Sequence, residues 1–469
     1  VDLLDGKLMR QSVRQDEPID LPQAFAYVLS SDQYLAMATL NEVFGISRDI
    51  PANYEPRESV DGAFIDSLTR DKHVVVYGSS KQGKTCLRKY NLGEHEHAVV
   101  TCQNKWSLAT LHMAILKSVG YTVQLSETLT ETGGRKVNAR LSVKGKVPGF
   151  GEVGGGLGGE QGRESKTETT TTELELDPED VNDVIAAMQA SEAPTFVVLE
   201  DFHYLSDETQ NDFSVSLKAF HENSDYCFIV VGVWLDDNRL IGLNGDLSGR
   251  VIAVDADEWC EEELRAVIAK GQDLLNIEIA ASLVDDLVSG CSESVSVLQE
   301  ACYRACEAEG ITATQAEKKV IGENLVAEDL IKTVVDEQSA RYNAFLSNFA
   351  EGYRETELEM YRWLLYPVLM AEPEQLEKGL GLTKINAMLR KVHPKGLDLN
   401  PGNVTQALKS FASLQVQKNI KPLVLDYDQS ARRLSVVDRG FLIWFSYQPK
   451  DELLNITGIE LDEQKSAAS

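Results

Sequence analysis

His73-Val74-Val75-Val76-Tyr77-Gly78-Ser79-Ser80-Lys81-Gln82-Gly83-Lys84-Thr85 decides how this chain is read. A β-branched run long enough for a buried strand stops at Gly78, and a helix-compatible segment, Cys86-Leu87-Arg88-Lys89-Tyr90, starts directly after Thr85. The spacing G-x-x-x-x-G-K-T suits a phosphate-binding loop for physical reasons. Glycines let backbone N–H groups close on phosphate oxygens, Lys84 reaches the terminal phosphates, and the Thr85 hydroxyl is placed to ligate magnesium. The expected nucleotide-contacting residues are Gly78, Ser79, Ser80, Lys81, Gln82, Gly83, Lys84, Thr85 and Cys86. The alternative, a Gly-rich turn with no ligand, lacks a reason for the full pattern between a strand and a helix.

A second chemical element follows at Thr195-Phe196-Val197-Val198-Leu199-Glu200-Asp201. A buried strand ending in two acids is what magnesium-nucleotide chemistry needs: one carboxylate near the metal, one to orient the attacking water. By position Glu200 joins Thr85 at the metal and Asp201 faces the water; the order Glu-Asp reverses the commoner one, which leaves the division of labour open. Arg250, just before the short apolar run 251–254, stands where an oligomeric ATPase presents an arginine to a neighbour's γ-phosphate, against the alternative of an intrachain salt bridge. Asn238 and Arg239 are weaker candidates for sensing that phosphate. Arg57, in the linker ahead of the loop strand, is read as an adenine-side residue or as a solvated linker arginine.

The chain has 469 residues, 43% hydrophobic, with a formal charge of −29. Length suggests about three domains. The acidic balance disfavours non-specific polyanion binding. Seven cysteines without C-x-x-C spacing form neither a disulfide framework nor a zinc site, and Cys302 and Cys306, one helical turn apart, read as core packing. Without a signal segment or an apolar run of membrane-spanning length, a cytoplasmic location and no membrane partner are expected.

Five regions are expected: an N-terminal helical docking segment (1–53), an α/β core (54–255), a helical lid (256–341), a C-terminal domain (342–450) and a tail (451–469). Within the core, residues 124–176 alternate with period two around a Gly-rich stretch at 149–159, which reads as a projecting hairpin for contact with a subunit or partner, or as a disordered insertion. In the C-terminal domain, helices precede two strands around a polar turn, as in a winged helix. Residues 380–450 carry eleven basic and four acidic side chains, a basic island of +7 that raises DNA contact as an alternative to protein packing.

With the loop, the acid-ended strand, the Gly249-Arg250 step, a helical lid and a terminal winged helix, the chain resembles the AAA+ and STAND P-loop ATPases, and is similar to their origin-recognition and transposition-regulator branches. The resemblance spans about residues 54–450 in architecture, and only the loop and acid motifs are specific. It implies an α/β P-loop NTPase fold with a parallel sheet, helical lid and C-terminal winged-helix domain, with ATP and Mg2+ bound between core and lid. It further implies a nucleotide state that controls self-association or a protein effector; many proteins of this kind serve bacterial antiviral systems. Two departures point to slow hydrolysis: Trp234 stands where a polar sensor is usual, and the helix at 295–302 lacks an arginine near its start. The alternatives are a DNA-binding loader and a nucleotide-bound scaffold without turnover.

Overall fold

Five apolar runs form parallel strands: β1 (His73–Tyr77), β2 (His97–Thr101), β3 (Phe196–Glu200), β4 (Cys227–Val231) and β5 (Val251–Asp255). The structure, a computed structural model, describes residues 37–47, 49–93, 97–129, 135–146, 167–257, 259–354 and 356–461. The strand order is β2-β3-β4-β1-β5, with every neighbouring pair parallel. β1 and β4 are buried along their whole length, which is why both read as unbroken apolar runs and not as alternation. Successive side chains still divide between faces. Val75, Val197, Leu199 and Phe228 pack on Leu111 and Ile115 on one side, while Val74, Val76, Val198 and Ile229 pack on Val60 and Phe64 on the other.

Register sets where chemistry is done. Tyr77 lies opposite Asp255, Thr101 opposite Glu200 and Leu199 opposite Val230, so the carboxyl ends of all five strands share one edge. Ligands of open α/β sheets bind outside that edge.

Between β2 and β3 the chain inserts a three-stranded antiparallel sheet, Tyr121–Leu129, Arg135–Lys146 and Thr167–Leu176, with the second strand in the middle. The expected two-stranded hairpin therefore gains a strand at its N-terminal side. Val137, Ala139 and Leu176 are buried, and the Tyr121 hydroxyl donates to Ala187 O at 2.8 Å, fixing the base of the insertion to the core. The Gly-rich stretch at 149–159 lies outside the described residues, as do residues 1–36 of the expected docking segment.

The described remainder of that segment packs on the helix Glu261–Leu275. Phe44 is fully buried there, and a Cβ added at Gly271 would come within 2.2 Å of its ring. From Leu40 to Ile459, the helical region and the C-terminal region contribute to one continuous apolar core. Within the region of the expected tail, the helix Lys450–Thr457 packs on the helices Ser339–Glu351 and Met360–Met370, with Leu453 and Ile459 buried. The strands Leu425–Asp428 and Arg433–Val436 form the C-terminal hairpin, joined by Leu380–Gly381. Among the described residues no helix is long and apolar enough to cross a membrane.

Candidate functional site

The loop leaves β1 at Gly78, whose φ of 139° and close approach to Asp257 N, 2.9 Å from an added Cβ, require glycine. Gly83, at φ 85°, turns the chain into the helix Lys84–Asn91. Among the described residues the backbone N–H groups of Lys81, Gln82, Gly83, Lys84, Thr85 and Cys86 make no hydrogen bond. Converging unsatisfied donors at a helix start are complementary to phosphate oxygens. The residues present therefore fit a nucleotide phosphate group.

Lys84 is buried and folds back, its Nζ donating to Gly78 O at 2.9 Å and to Ser79 O. Burial pulls its pKa down to about 8, against the attraction of Asp257, Glu200, Asp201 and Asp255. Thr85 is exposed at the head of the helix, open to a metal ion. Gln82 Nε2 donates to Glu293 O at 2.9 Å, which ties the loop to the helical region.

The preceding part of the loop is held by residues that sequence reading missed. Ser79 N donates to Asp257 Oδ1 at 2.8 Å and Ser79 Oγ to Oδ2 at 3.1 Å. Asp257 in turn pairs with Arg439 at 3.0 Å, and Ser80 N donates to Val437 O at 2.8 Å. Arg439 also donates to Ser292 O and pairs with Glu293 and Glu377. The C-terminal region thus bears directly on the loop. Asp257 lies two residues past the end of β5, and nothing local marks it, Val437 or Arg439.

The two acids differ in surroundings. Glu200 Oε1 accepts from Arg88 Nε at 2.7 Å, both side chains nearly buried, and Arg88 Nη1 meets His97 Nε2 at 3.1 Å. Asp201 turns the chain at φ 58°; burial and the neighbouring Glu200 raise its pKa, while Lys421 and Lys84 lower it. Lys421 comes from the C-terminal region and lies over the Tyr204 ring at 4.1 Å.

Beside the loop is a mainly apolar cavity of about 120 Å³, lined by Tyr54, Arg57, Gly83, Cys86, Trp259 and Gln299 among others. Arg57 is buried, stacks on Trp259 at 4.1 Å and donates to Ala256 O at 3.2 Å. It is thus a wall of this cavity and not a solvated linker residue. The cavity shares Lys81, Gly83 and Cys86 with the loop.

Arg250 stands apart. Its carbonyl accepts from His73 N, at the opposite end of β1 from the loop, and its guanidinium pairs with Glu222 at 2.8 Å and with Asp246 O. Arg239 pairs with buried Asp426 at 3.0 Å and lies over Trp234, tying core to C-terminal hairpin, and Asn238 is exposed. Cys302 and Cys306 are buried in the helical core, burial raising both thiols. Among the described residues no cluster of three His, Cys, Asp or Glu could hold a metal ion unaided by a ligand.

Strand order, loop and acid-ended strand together settle the fold. The core is a P-loop NTPase fold. No family model and no curated protein matches the chain. Among solved structures it is similar to the Walker-type ATPase of Pyrococcus abyssi (11% identity, 86% of this chain and 99% of that one, TM-score 0.46). It is also similar to the ORC2 protein of Aeropyrum pernix in ADPNP-ADP complexes (14%, 92% and 100%, 0.44). The ORC1 protein of the same organism, solved with DNA, matches at 10% identity over 90% of this chain and 100% of that one, TM-score 0.40.

Proposed function

We propose that this chain is an ATP-binding, slowly hydrolysing switch whose nucleotide state controls self-association or the docking of a protein effector. One observation carries the reading: Val437 and Arg439 of the C-terminal region hold Ser80 and, through Asp257, Ser79. A nucleotide that moves the loop must shift these contacts, and a ligand shifts an equilibrium by its differential affinity for the two states. Thr85 and Glu200 are the residues that would hold magnesium, which when bound neutralises phosphate charge. Slow turnover follows from Glu200 being engaged by Arg88 and from the apolar, buried Trp234 beyond β4. Arg250, at the far end of β1 from the loop, makes the intrachain pair with Glu222 that was the alternative to a finger, and this reading gives it no step in hydrolysis.

The DNA-loader reading is less favoured because most of the basic island is already engaged. Lys395, Lys418, Arg439 and Lys450 pair with Glu357, Glu351, Asp257 and Glu372, all outside 380–450, and Lys384, Lys421 and Arg433 have polar or aromatic partners.

Size-exclusion light scattering of the wild type and Lys84→Ala, with and without magnesium-ATP and duplex DNA, tests the switch. Growth in mass on ATP alone, lost in Lys84→Ala, is expected. A constant monomer that shifts only with DNA overturns it.

A further inference from the structure

Between the helices Ala281–Gly290 and Val295–Ala308, Ser292 and Glu293 stand at φ 47° and 55°. Two successive non-glycine residues in the left-handed region cost free energy, and such strain persists only where surrounding contacts hold it. Packing does not hold this turn, since both residues are exposed. Polar contacts from two distant parts of the chain do. Gln82 of the phosphate loop donates from Nε2 to Glu293 O at 2.9 Å. Arg439 of the C-terminal region donates from Nη1 to Ser292 O at 3.0 Å and pairs through Nη2 with the Glu293 carboxylate at 3.2 Å.

The turn matters for what it joins. Gln82 is fully buried among the loop N–H groups that make no hydrogen bond, and its Oε1 has no partner, so Glu293 O is the side chain's one hydrogen-bond partner among the described residues. On the other side of the turn, Ser294 caps the helix Val295–Ala308, whose residues Val295, Ser296 and Gln299 line the cavity beside the loop. Arg439 opens the helix Arg439–Ser446 and divides its guanidinium between the turn and the carboxylates of Asp257 and Glu377. One strained turn thus connects the phosphate loop, the cavity wall and the C-terminal region.

From these contacts we infer that the Ser292–Glu293 turn is a strained relay that couples the phosphate loop to the C-terminal region, a second route beside the contacts from Ser79 through Asp257 to Arg439. A ligand whose phosphates draw in the loop amides shifts Gln82. The turn, losing a bond that holds its positive φ, relaxes, and Arg439 gives up Ser292 O and Glu293 while keeping Asp257 and Glu377. Release of strain favours the second arrangement, and such coupling is reciprocal, so loosening Arg439 alters the loop in turn. The inference rests on the nucleotide-binding reading above and names its regulation.

Ser292→Gly isolates the strain. Glycine adopts a positive φ freely, the main-chain acceptor for Arg439 stays, and the serine hydroxyl makes no hydrogen bond among the described residues. In this variant the turn keeps its shape whether or not Gln82 holds it. The test is hydrogen exchange of the helix Arg439–Ser446, followed by mass spectrometry in wild type, Gln82→Met, Ser292→Gly and the double variant. Each is measured without nucleotide and with magnesium and a non-hydrolysable ATP analogue. Without nucleotide, Gln82→Met is expected to speed exchange of that helix several-fold in the native turn, and by less than about twofold beside Ser292→Gly. The analogue is expected to speed it in the wild type and not in Ser292→Gly. Melting reports folding, and Gln82→Glu, which keeps the length but as a carboxylate cannot donate to Glu293 O, carries the same expectation should the methionine variant not fold. Equal acceleration in both backgrounds, or none in the native turn, overturns the relay. If the analogue protects no loop amide in the wild type, the nucleotide reading falls, while the nucleotide-free comparison still decides the coupling.

Discussion

Arg439 and Asp257 form a nearly buried ion pair, 3.0 Å from Nη2 to Oδ2, in which the carboxylate simultaneously accepts from Ser79 N of the phosphate loop. The pair makes a residue of the C-terminal region part of the loop's support. Removing one partner of such a pair leaves the other charge desolvated, which typically costs about 3–5 kcal/mol. Here Asp257 keeps its two bonds from Ser79, so a smaller loss is expected.

Arg439→Gln should lower stability by about 2 kcal/mol and speed release of bound nucleotide several-fold, because the C-terminal region then holds the loop through Val437 alone. Chemical denaturation and displacement of a fluorescent nucleotide measure the two effects. Unchanged release with lowered stability would mean that the contact is only structural.

Arg88 and Glu200 give a second prediction. Glu200→Gln is expected to lower ATP turnover by about a hundredfold with little change in nucleotide affinity, and Asp201→Asn to do the same if it orients water. Arg88→Met, which frees the Glu200 carboxylate, should destabilise the fold by about 3 kcal/mol yet not reduce turnover. If neither acid variant alters turnover, the scaffold reading replaces the switch.

Lys84 sets a pH dependence. Its pKa in the ligand-free protein is about 8, below the ordinary 10.5, because burial disfavours the ammonium. Phosphate favours the charged form, so the bound pKa lies higher and binding above about pH 8 takes up a proton. ATP affinity should be flat below that pH and fall as pH rises through it, by up to about tenfold per unit. Calorimetry in buffers of different ionisation enthalpy at pH 9 should register proton uptake, absent in Lys84→Met.

Local signals made the loop, β1, β3 and the acid pair legible, because strand, turn and helix chemistry are written within about fifteen consecutive residues. The burial of Arg57 against Trp259 was not legible, since an isolated linker arginine carries no local sign of it. Nor were Asp257, Arg439 and Val437: they meet Ser79 and Ser80 across more than 170 positions of sequence, and no periodicity encodes such a meeting. The pairing inside the basic island was not legible, because partners such as Glu351 and Glu357 lie outside the window in which charges were counted.

His73 and His112 predict acid sensitivity. Both are buried and neutral, His73 between Leu217 O and Phe228 N, His112 against Pro178 O, and burial brings each pKa from 6.5 to about 4. Between those values the unfolded chain binds protons that the folded chain refuses, so stability falls as pH drops through that window. At pH 5 each histidine should account for about 2 kcal/mol of loss relative to neutral pH. Urea denaturation at both pH values checks this, and His73→Gln should shrink the difference by its own share of about 2 kcal/mol.

The last prediction separates switch from loader through salt. Of the eleven bases in 380–450, Arg390, Lys391, Lys409 and Arg432 are exposed and make no ion pair or side-chain hydrogen bond among the described residues. Each phosphate neutralised on duplex DNA contributes about −0.9 to the slope of log affinity against log salt. Four available cations therefore bound that slope at about −4, and an acidic molecule elsewhere weakens binding further. Titrations of duplex DNA across salt concentrations should give a shallow slope that flattens on Arg390→Ala with Lys391→Ala. A slope near −8 would mean that the internal ion pairs open to phosphate, as a loader requires, and would displace the switch as the better reading.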